Sequence, residues 1–184
     1  MGNAEATRER ILAAAMTEFA AFGIAGARVD RIAKAAGCNK NLIYIYFENK
    51  ETLFATVLER NLSRVYDELV ITPDDLPGFA VRVFDFAVSH PELMRLMAWF
   101  SLEQPTDGST ARNASIESKL TAIDAARERR EVSRAFPSNF LLTAIMTLAT
   151  AWSTANPFGR SIAPDLRQAR ENVSAAIRLL AGAE

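Results

Sequence analysis

The chain has 184 residues, of which 49% are hydrophobic and 23% are charged, and its net charge is −1. This length and composition predict one ordinary folded domain or two small ones and exclude a chain that is disordered throughout. The near-neutral charge also excludes a chain-wide attraction to nucleic acid or anionic lipid, so any contact with a polyanion has to be local.

Chemistry that needs clustered histidines or cysteines is poorly supported. Cys38 is the single cysteine and His90 the single histidine, and neither belongs to a set with metal-ligand spacing. The sequence also lacks a glycine-rich phosphate loop and a zinc-helix motif. We therefore expect no metal, no cofactor and no enzymatic activity.

Helix-type hydrophobic periods run through almost the whole chain, and no segment combines strand-like alternation with hairpin turns. We predict an all-α fold of about nine helices. The first begins near Glu5, carries Phe22 on its apolar face and ends at Gly23. The second is short, covers residues 29–36 and stops at Gly37, since glycine suits the left-handed position that follows many helices.

Asparagines are expected to open the next two helices. Asn39 is a good N-cap for a third helix that reaches Tyr46, and Asn49 caps a long fourth helix. Residues 72–78 are rich in helix breakers and predict a loop, followed by a fifth helix over residues 79–88.

Prolines mark several later boundaries. Pro91 is expected at the first position of a sixth helix that ends near Glu103, and residues 104–109 form the next loop. A charged helix covers residues 110–132, with Ile116, Leu120 and Ile123 on its buried face.

The C-terminal part contains an uncharged segment, residues 138–156, between two prolines. Its polar residues recur at steps of three and four, so we interpret it as a buried helix and not as a membrane span. Pro164 is expected to open the last helix.

A helix, a short helix ending in glycine, a brief turn and a second short helix are the organisation of a helix-turn-helix reader of the DNA major groove. Residues 26–50 contain five basic and two acidic side chains, a net +3 within a chain of −1. Positive charge is therefore concentrated where a polyanion would bind.

The segment VDRIAKAAGCNKNLIYIYFENKETLF contains an Ile-Ala pair, a turn glycine, a tyrosine, an aromatic pair ending in Phe, and then Lys and Leu, at fixed spacing. In this pattern it resembles the DNA-binding domain of the TetR family of bacterial transcriptional regulators. The resemblance covers roughly residues 7–60. It implies a DNA-binding domain over residues 1–48 and an effector-binding and dimerisation domain over residues 49–184.

The resemblance also implies roles for individual residues. Lys40 and Asn41 fall where the family points side chains at base edges, and Lys donates to guanine while Asn pairs with adenine. Ile45 is placed to meet a thymine methyl, and the remaining positions are expected at phosphates. The positions that match the family's DNA contacts are Lys40, Asn41, Tyr44, Ile45, Tyr46 and Lys50.

Two departures from the family pattern stand out. The family usually has a threonine capping the second helix, where this chain has Ala27-Arg28, so we expect that cap hydrogen bond to be lost, at about 1 kcal/mol. Arg28 is instead expected to contact a phosphate. Asn41 stands where the family often has Gly or Pro, so no base preference follows by analogy.

A small, largely apolar effector bound in the helical body is a further implication of the resemblance. Large apolar side chains in the middle helices suit such a pocket, although they build ordinary cores equally well. His90, Glu103 and the threonines are the polar candidates, and His90 is also placed to cap a helix. The ligand-binding candidates are Phe84, His90, Met94, Met97, Trp99, Phe100, Glu103, Thr143, Met146, Thr147 and Trp152.

The expected assembly is a homodimer that binds a double-stranded palindromic operator as a repressor and is released by its effector. The last two helices, residues 138–155 and 164–181, are the expected interface, and a threonine stripe facing a ligand is the competing interpretation. A helical protein-interaction module that keeps the fold without reading DNA is the alternative. The N-terminus has no signal-peptide or transit pattern, so we expect a cytoplasmic protein with no membrane partner.

Overall fold

A computed structural model describes residues 3–103, 110–162 and 165–182. Every regular element in these ranges is helical, which confirms the predicted all-α fold. A single 3₁₀ turn at Pro73–Asp75 precedes the fifth helix. The helices are α1 (Asn3–Gly26), α2 (Val29–Ala36), α3 (Lys40–Phe47), α4 (Lys50–Glu68), α5 (Leu76–Ser89), α6 (Pro91–Glu103), α7 (Thr110–Glu128), α8 (Ser138–Thr150), α9 (Gly159–Ile162) and α10 (Leu166–Ala181).

The chain divides into two compact units. The first comprises Met1–Arg64 and Glu92–Asp107, and the second comprises Val65–Pro91 and Gly108–Glu184. This division is one of packing, and the functional division after residue 48 stays a prediction.

The first unit is organised around an aromatic contact between α1 and α4. Phe19 and Phe54 are fully buried and meet edge to face, with 5.1 Å between their ring centroids. Ile32 of α2 and Ile43 and Phe47 of α3 fill the rest of this core. The two short helices are therefore held by their apolar faces, which leaves their polar faces outside.

Local signals place the ends of the short helices, as predicted. Gly37 has φ 64°, and α2 ends with hydrogen bonds from the Gly37 and Cys38 amides back to Lys34 and Ala33. The Asn39 side chain accepts the Asn41 N–H at 2.9 Å, and Asn49 likewise accepts the Thr52 N–H at 2.7 Å at the start of α4.

The end of α1 differs from the prediction. Gly23 has the expected positive φ of 66°, but the helix bends there and continues to Gly26. Phe22 is 49% exposed and does not lie in the core. Its ring is covered by the Arg31 guanidinium, 4.3 Å from the ring centroid.

In the second unit α5 packs against α8 and α10. Phe79, Ile145 and Ile177 are fully buried in this core. On its surface, Arg170 of α10 donates to both carboxylate oxygens of Asp85 on α5, at 2.8 to 3.1 Å.

Two boundaries of the second unit correct the predictions. The helix α5 begins at Leu76, because Asp75 caps it by accepting the Gly78 N–H at 2.9 Å and a proline is tolerated in the first turn. The helix α7 ends at Glu128, four residues early, since Arg130 adopts φ 62°. Within α7, Ile123 is buried as predicted, whereas Ile116 is 40% exposed.

The uncharged helix is also shorter than predicted. It ends at Thr150, where the Ala151 and Ser153 amides donate to carbonyls only three residues back. Gly159 lies so close to the Ala151 carbonyl that a Cβ would be 2.1 Å from its oxygen. The unpredicted helix α9 begins at this contact.

The last helix α10 is capped by Asp165, whose Oδ1 accepts the Arg167 N–H at 2.9 Å. The predicted loop over residues 104–109 and the predicted start at Pro164 lie outside the described residues. Within the described ranges, no helix combines the length and the apolar character needed to cross a bilayer.

Candidate nucleic-acid interface and effector residues

The helix α3 presents one face to the core and the other to solvent. Ile43 and Phe47, one helical turn apart, are 1% and 2% exposed and fix the helix against the first unit. Asn41, Tyr44 and Ile45 consequently lie on the outer side, and Ile45 is 75% exposed. Single exposed apolar side chains are common on protein surfaces, but this one lies within the segment of net charge +3.

Lys40 is held by an internal ion pair. Its Nζ lies 3.0 and 3.1 Å from the two carboxylate oxygens of Asp30, in the first turn of α2. The hydrogen bond and the charge of Asp30 raise the pKa of Lys40 above its ordinary value. Any contact of this ammonium with DNA therefore replaces an existing partner.

The side chains predicted to contact phosphates differ in their exposure and in the hydrogen bonds that they make. Tyr44 is 40% exposed, and its ring does not lie in the core. The Tyr46 hydroxyl donates to the Ala4 carbonyl at 3.2 Å, and the Lys50 Nζ donates to the Ala27 carbonyl at 3.4 Å. Both distances are long for hydrogen bonds, and both side chains are half-buried.

The start of α2 has a cap that the sequence did not reveal. Arg28 makes no side-chain cap bond, as expected, but its N–H donates at 2.8 Å to Glu18 of α1. The same carboxylate oxygen accepts the Arg31 Nε at 2.7 Å. The bond is thus replaced from another helix and not lost, and the exposed Arg28 side chain remains available to a phosphate.

Glu18 is a buried carboxylate, 8% exposed. Burial alone would raise its pKa, but the hydrogen bonds from Arg31 and from the Arg28 amide outweigh burial and hold the pKa below its ordinary value. The available signal was a single acid between the apolar positions Ala15 and Phe19 of α1.

The junction between α3 and α4 is a tight turn at Glu48. This residue has φ 61° and ψ −54°, and the Asn49 N–H donates to the Phe47 carbonyl at 2.6 Å. These values are those of a classic γ-turn, which is rare because it is strained. Only Glu48 and Asn49 separate the two helices.

The predicted effector residues are divided between the two units of the chain. Phe84 is buried in the second unit, with its ring centroid 5.9 Å from that of Trp152. His90 ends α5, where its ring stacks on Phe86 at 4.1 Å and its Nδ1 lies 2.9 Å from the Phe86 carbonyl oxygen. Capping, the other interpretation of His90, is thus the one its geometry fits.

The remaining candidates fall into three groups. Met94, Met97, Trp99 and Phe100 are half-buried on α6 and belong to the first unit. Thr143, Met146 and Thr147 are exposed on α8, which belongs to the second. The Glu103 side chain lies outside what the structure describes.

Clefts lined by described residues involve other side chains. One of about 430 Å³ is lined by Arg10, Thr17 and Arg31 among others, and one of about 340 Å³ by Leu12, Val57 and Arg60. Within the described part of the chain, no three His, Cys, Asp or Glu side chains are grouped so that they could hold a metal ion.

The fold and this exposed helix define a class, that of helix-turn-helix proteins with a separate helical body. Residues 11–57 match the family described as bacterial regulatory proteins, tetR family, and residues 75–181 match the tetracyclin repressor-like C-terminal domain. The chain belongs to the TetR family of bacterial transcriptional regulators.

Individual relatives agree with this assignment. The chain is 40% identical over 156 residues to the HTH-type transcriptional repressor SCO4008 of Streptomyces coelicolor, a match that covers 83% of this chain and 81% of that protein. It is 33% identical over 118 residues to the HTH-type transcriptional repressor NicS of Pseudomonas putida, which covers 60% of this chain and 55% of that protein.

Among solved structures, the protein SCO4942 of Streptomyces coelicolor superposes with a TM-score of 0.85 at 34% identity, over 97% of this chain and 99% of that chain. The protein is therefore a ligand-responsive, DNA-binding transcriptional regulator. Neither an enzyme nor a protein-interaction module without DNA binding is favoured by this membership.

Proposed function

We propose that this protein is a cytoplasmic repressor that binds a palindromic operator as a homodimer and releases it when a small, largely apolar effector binds. The observation that carries the proposal is the outer face of α3, where Ile45 is 75% exposed on a helix anchored by Ile43 and Phe47. This face belongs to a segment of net charge +3 in a chain of −1. Charge and anchoring together suit the major groove.

In this proposal the residues of α3 divide into base and phosphate contacts. Asn41 pairs with adenine, Lys40 donates to guanine after leaving Asp30, and Ile45 packs on a thymine methyl. The phosphate contacts are Arg28, Tyr44, Tyr46 and Lys50.

The dimer is proposed to form through α8 and α10. Met146 is 36% and Phe140 49% exposed on α8, beside the exposed Thr143 and Thr147. On α10, Leu179 is 86% exposed. These uncharged, small and apolar side chains suit a close helix-to-helix contact between two copies, and two copies present two reading helices to successive major grooves.

The effector is proposed to act through α4. It binds in the helical body, favours one position of α4, and so changes the separation of the two reading helices. Such a shift requires the effector to bind the protein more tightly with α4 in one position than in the other.

Selection from random duplex DNA at near-physiological salt tests the proposal. We expect a palindrome whose half-sites lie about one helical turn apart. In binding assays on that duplex, Lys50→Ala should weaken all sequences equally and lower the salt dependence by about one charge, whereas Asn41→Ala should relax the preference at one position per half-site.

Recovery of no sequence above background at either physiological or low salt would contradict sequence-specific binding. Recovery of a single, non-repeated half-site would contradict the dimeric operator while leaving the reading helix in place.

A further inference from the structure

A half-buried cationic face lies on α7, in the second unit. Arg112, Ser115 and Lys119 follow each other at steps of three and four residues, so they share one side of the helix, and all three are half-buried. The Lys119 Nζ donates to the Ser115 Oγ at 2.6 Å. It also lies 5.7 Å from the ring centroid of Tyr66, in the last turn of α4.

Lys119 has no acidic partner among the described residues, whereas two other half-buried cations do. Arg31 is paired with Glu18 and Arg127 with Asp124. Among the described residues, no carboxylate lies within 4.0 Å of the Lys119 Nζ, and its neighbours are a hydroxyl and an aromatic ring. A buried ammonium is normally neutralised by a carboxylate, because desolvation of an unpaired charge is costly.

The electrostatics of the neighbouring groups agree with this geometry. Burial lowers the pKa of Lys119. Burial raises the pKa of Tyr66, and the nearby charge of Arg112 opposes that rise. The Tyr66 phenol therefore keeps its proton and remains a hydrogen-bond donor beside two cations.

The residues next to Tyr66 and Lys119 in the sequence connect both helices to the core of the second unit. Val65, next to Tyr66, and Leu120, next to Lys119, both pack against the core of the second unit.

We propose that Lys119, with Tyr66 and Ser115, binds a carboxylate carried by the effector, so that the effector is an apolar acid. This inference rests on the proposed function, which it narrows to a chemical class. The Lys119 ammonium has no carboxylate partner among the described residues, and one such charge is balanced by a single negative charge, which favours a carboxylate over a dianionic phosphate. One member of the site, Tyr66, lies in the last turn of α4, the helix proposed to move.

The test uses matched pairs of probes, since the effector is unidentified. A panel of alkyl and aryl carboxylic acids is compared with the corresponding primary amides, which have nearly the same shape without the charge, and with the alkyl phosphates. Binding to the full-length protein is measured by thermal shift and calorimetry. We expect one or more acids to bind at least about tenfold more tightly than their amides, as loss of a charge-assisted bond predicts.

Substitutions test whether the preference for acids over amides depends on Lys119 and Tyr66. Lys119→Met should remove the difference between acid and amide, and Tyr66→Phe should reduce it. Lys34→Met, at an exposed position of α2, is the matched control and should leave it unchanged. Without ligand, Lys119→Met should not lower the melting temperature, because it removes an unpaired charge; a lower value would indicate a structural role and overturn the proposal.

The remaining outcomes separate this inference from the proposed function. Acids and amides that bind alike, an acid preference that survives Lys119→Met, a preference for phosphates, or no acid-dependent shift across the panel would each overturn the inference. If a neutral compound releases the operator, the inference fails and the proposed function stands. If an acid binds through Lys119 but leaves operator binding unchanged, the site stands and the effector mechanism fails.

Discussion

Glu18 joins three parts of the first unit through one carboxylate oxygen. It lies on α1, and it accepts hydrogen bonds from the Arg28 backbone at the start of α2 and from the Arg31 side chain one turn later. Arg31 also covers the exposed ring of Phe22 and donates to the Gly26 carbonyl at 3.0 Å. One acid thus ties the start of α2 to α1.

Replacing Glu18 should therefore lower stability in a way that depends on pH. We expect Glu18→Gln to cost about 1 kcal/mol, since an acceptor remains for the Arg28 amide, and Glu18→Ala about 2 kcal/mol, since the amide is then left unpaired. Urea unfolding at neutral pH measures both. Glu9→Gln, which removes the exposed pair with Arg60, is the control and should have little effect.

The pH dependence has a definite sign. Because the pKa of Glu18 is lowered in the folded state, its contribution is fully present above the pKa of an unfolded glutamate, about 4.3, and is lost as the pH falls below that value. The wild type and Glu18→Gln should consequently converge in stability at acidic pH. A difference that stays constant down to low pH would contradict the role of the ionised carboxylate.

Asp30 competes with DNA for Lys40. Asp30→Asn removes the carboxylate that holds the ammonium, so we expect operator affinity to rise by roughly two- to fivefold. Fluorescence anisotropy with the selected duplex measures it. The same substitution in a Lys40→Met background should give a smaller gain; an equal gain in both backgrounds would mean that Asp30 acts through general charge and not through the pair.

At the scale of elements, two helices end with the same motif on different residues. The amides of Gly37 and Cys38 close α2, and those of Arg130 and Glu131 close α7, with the same hydrogen-bond pattern. Both helices require a left-handed residue, which is Gly37 at φ 64° in one and Arg130 at φ 62° in the other. A side chain in this conformation costs about 1 kcal/mol relative to glycine.

We therefore expect opposite effects on stability from replacing Gly37 by alanine and Arg130 by glycine. Gly37→Ala should destabilise by about 1 kcal/mol through the backbone alone, since a Cβ there meets no atom within 4 Å. Arg130→Gly should stabilise by a few tenths to about 1 kcal/mol, because the exposed Arg130 side chain makes no hydrogen bond to another described residue and the strain is relieved. Chemical unfolding of both variants checks the signs, and a loss of stability in Arg130→Gly would refute the assignment of strain.

These elements also show what local sequence can and cannot predict. Asn39, Asn49 and Gly37 act within three or four residues of their own position, so local sequence alone placed the end of α2 and the starts of α3 and α4. The end of α8 depends on Gly159 reaching the Ala151 carbonyl, and the cap of α2 depends on Glu18 ten residues away. Contacts of this kind are set by packing, which no periodicity records.

Local sequence is limited in the same way when it is used to predict the DNA-binding and effector residues. The outer face of α3 followed from its spacing, because its buried positions fix which residues remain outside. The effector candidates were chosen by size and apolarity, and those properties are shared by core residues such as Phe84. Lys119 was missed because an isolated lysine on a charged helix has no signature until its neighbours are known.

At the scale of the whole molecule, the proposed operator complex depends on two copies. Met146→Glu places a charge on the exposed face of α8, so we expect it to disrupt the dimer while leaving the fold of each copy intact. Sedimentation velocity should show the monomer, and operator affinity should fall by about 100-fold or more as avidity is lost. Val70→Glu adds a charge at another exposed apolar position, 62% exposed, and should leave the dimer unchanged. A dimeric Met146→Glu protein would place the interface elsewhere.

The tight turn at Glu48 bears on how a movement of α4 is transmitted to α3. Both of its amides are hydrogen-bonded, the Glu48 N–H to Tyr44 at 2.8 Å and the Asn49 N–H to Phe47, and the Asn49 side chain is engaged in capping α4. Because this two-residue linker is short and hydrogen-bonded, we expect it to be stiff and a rotation of α4 to move α3 with it. In the proposed mechanism Glu48 and Asn49 contact neither ligand, yet they join α4 to the reading helix, and the size of the coupling is still set by the effector's different affinities for the two states.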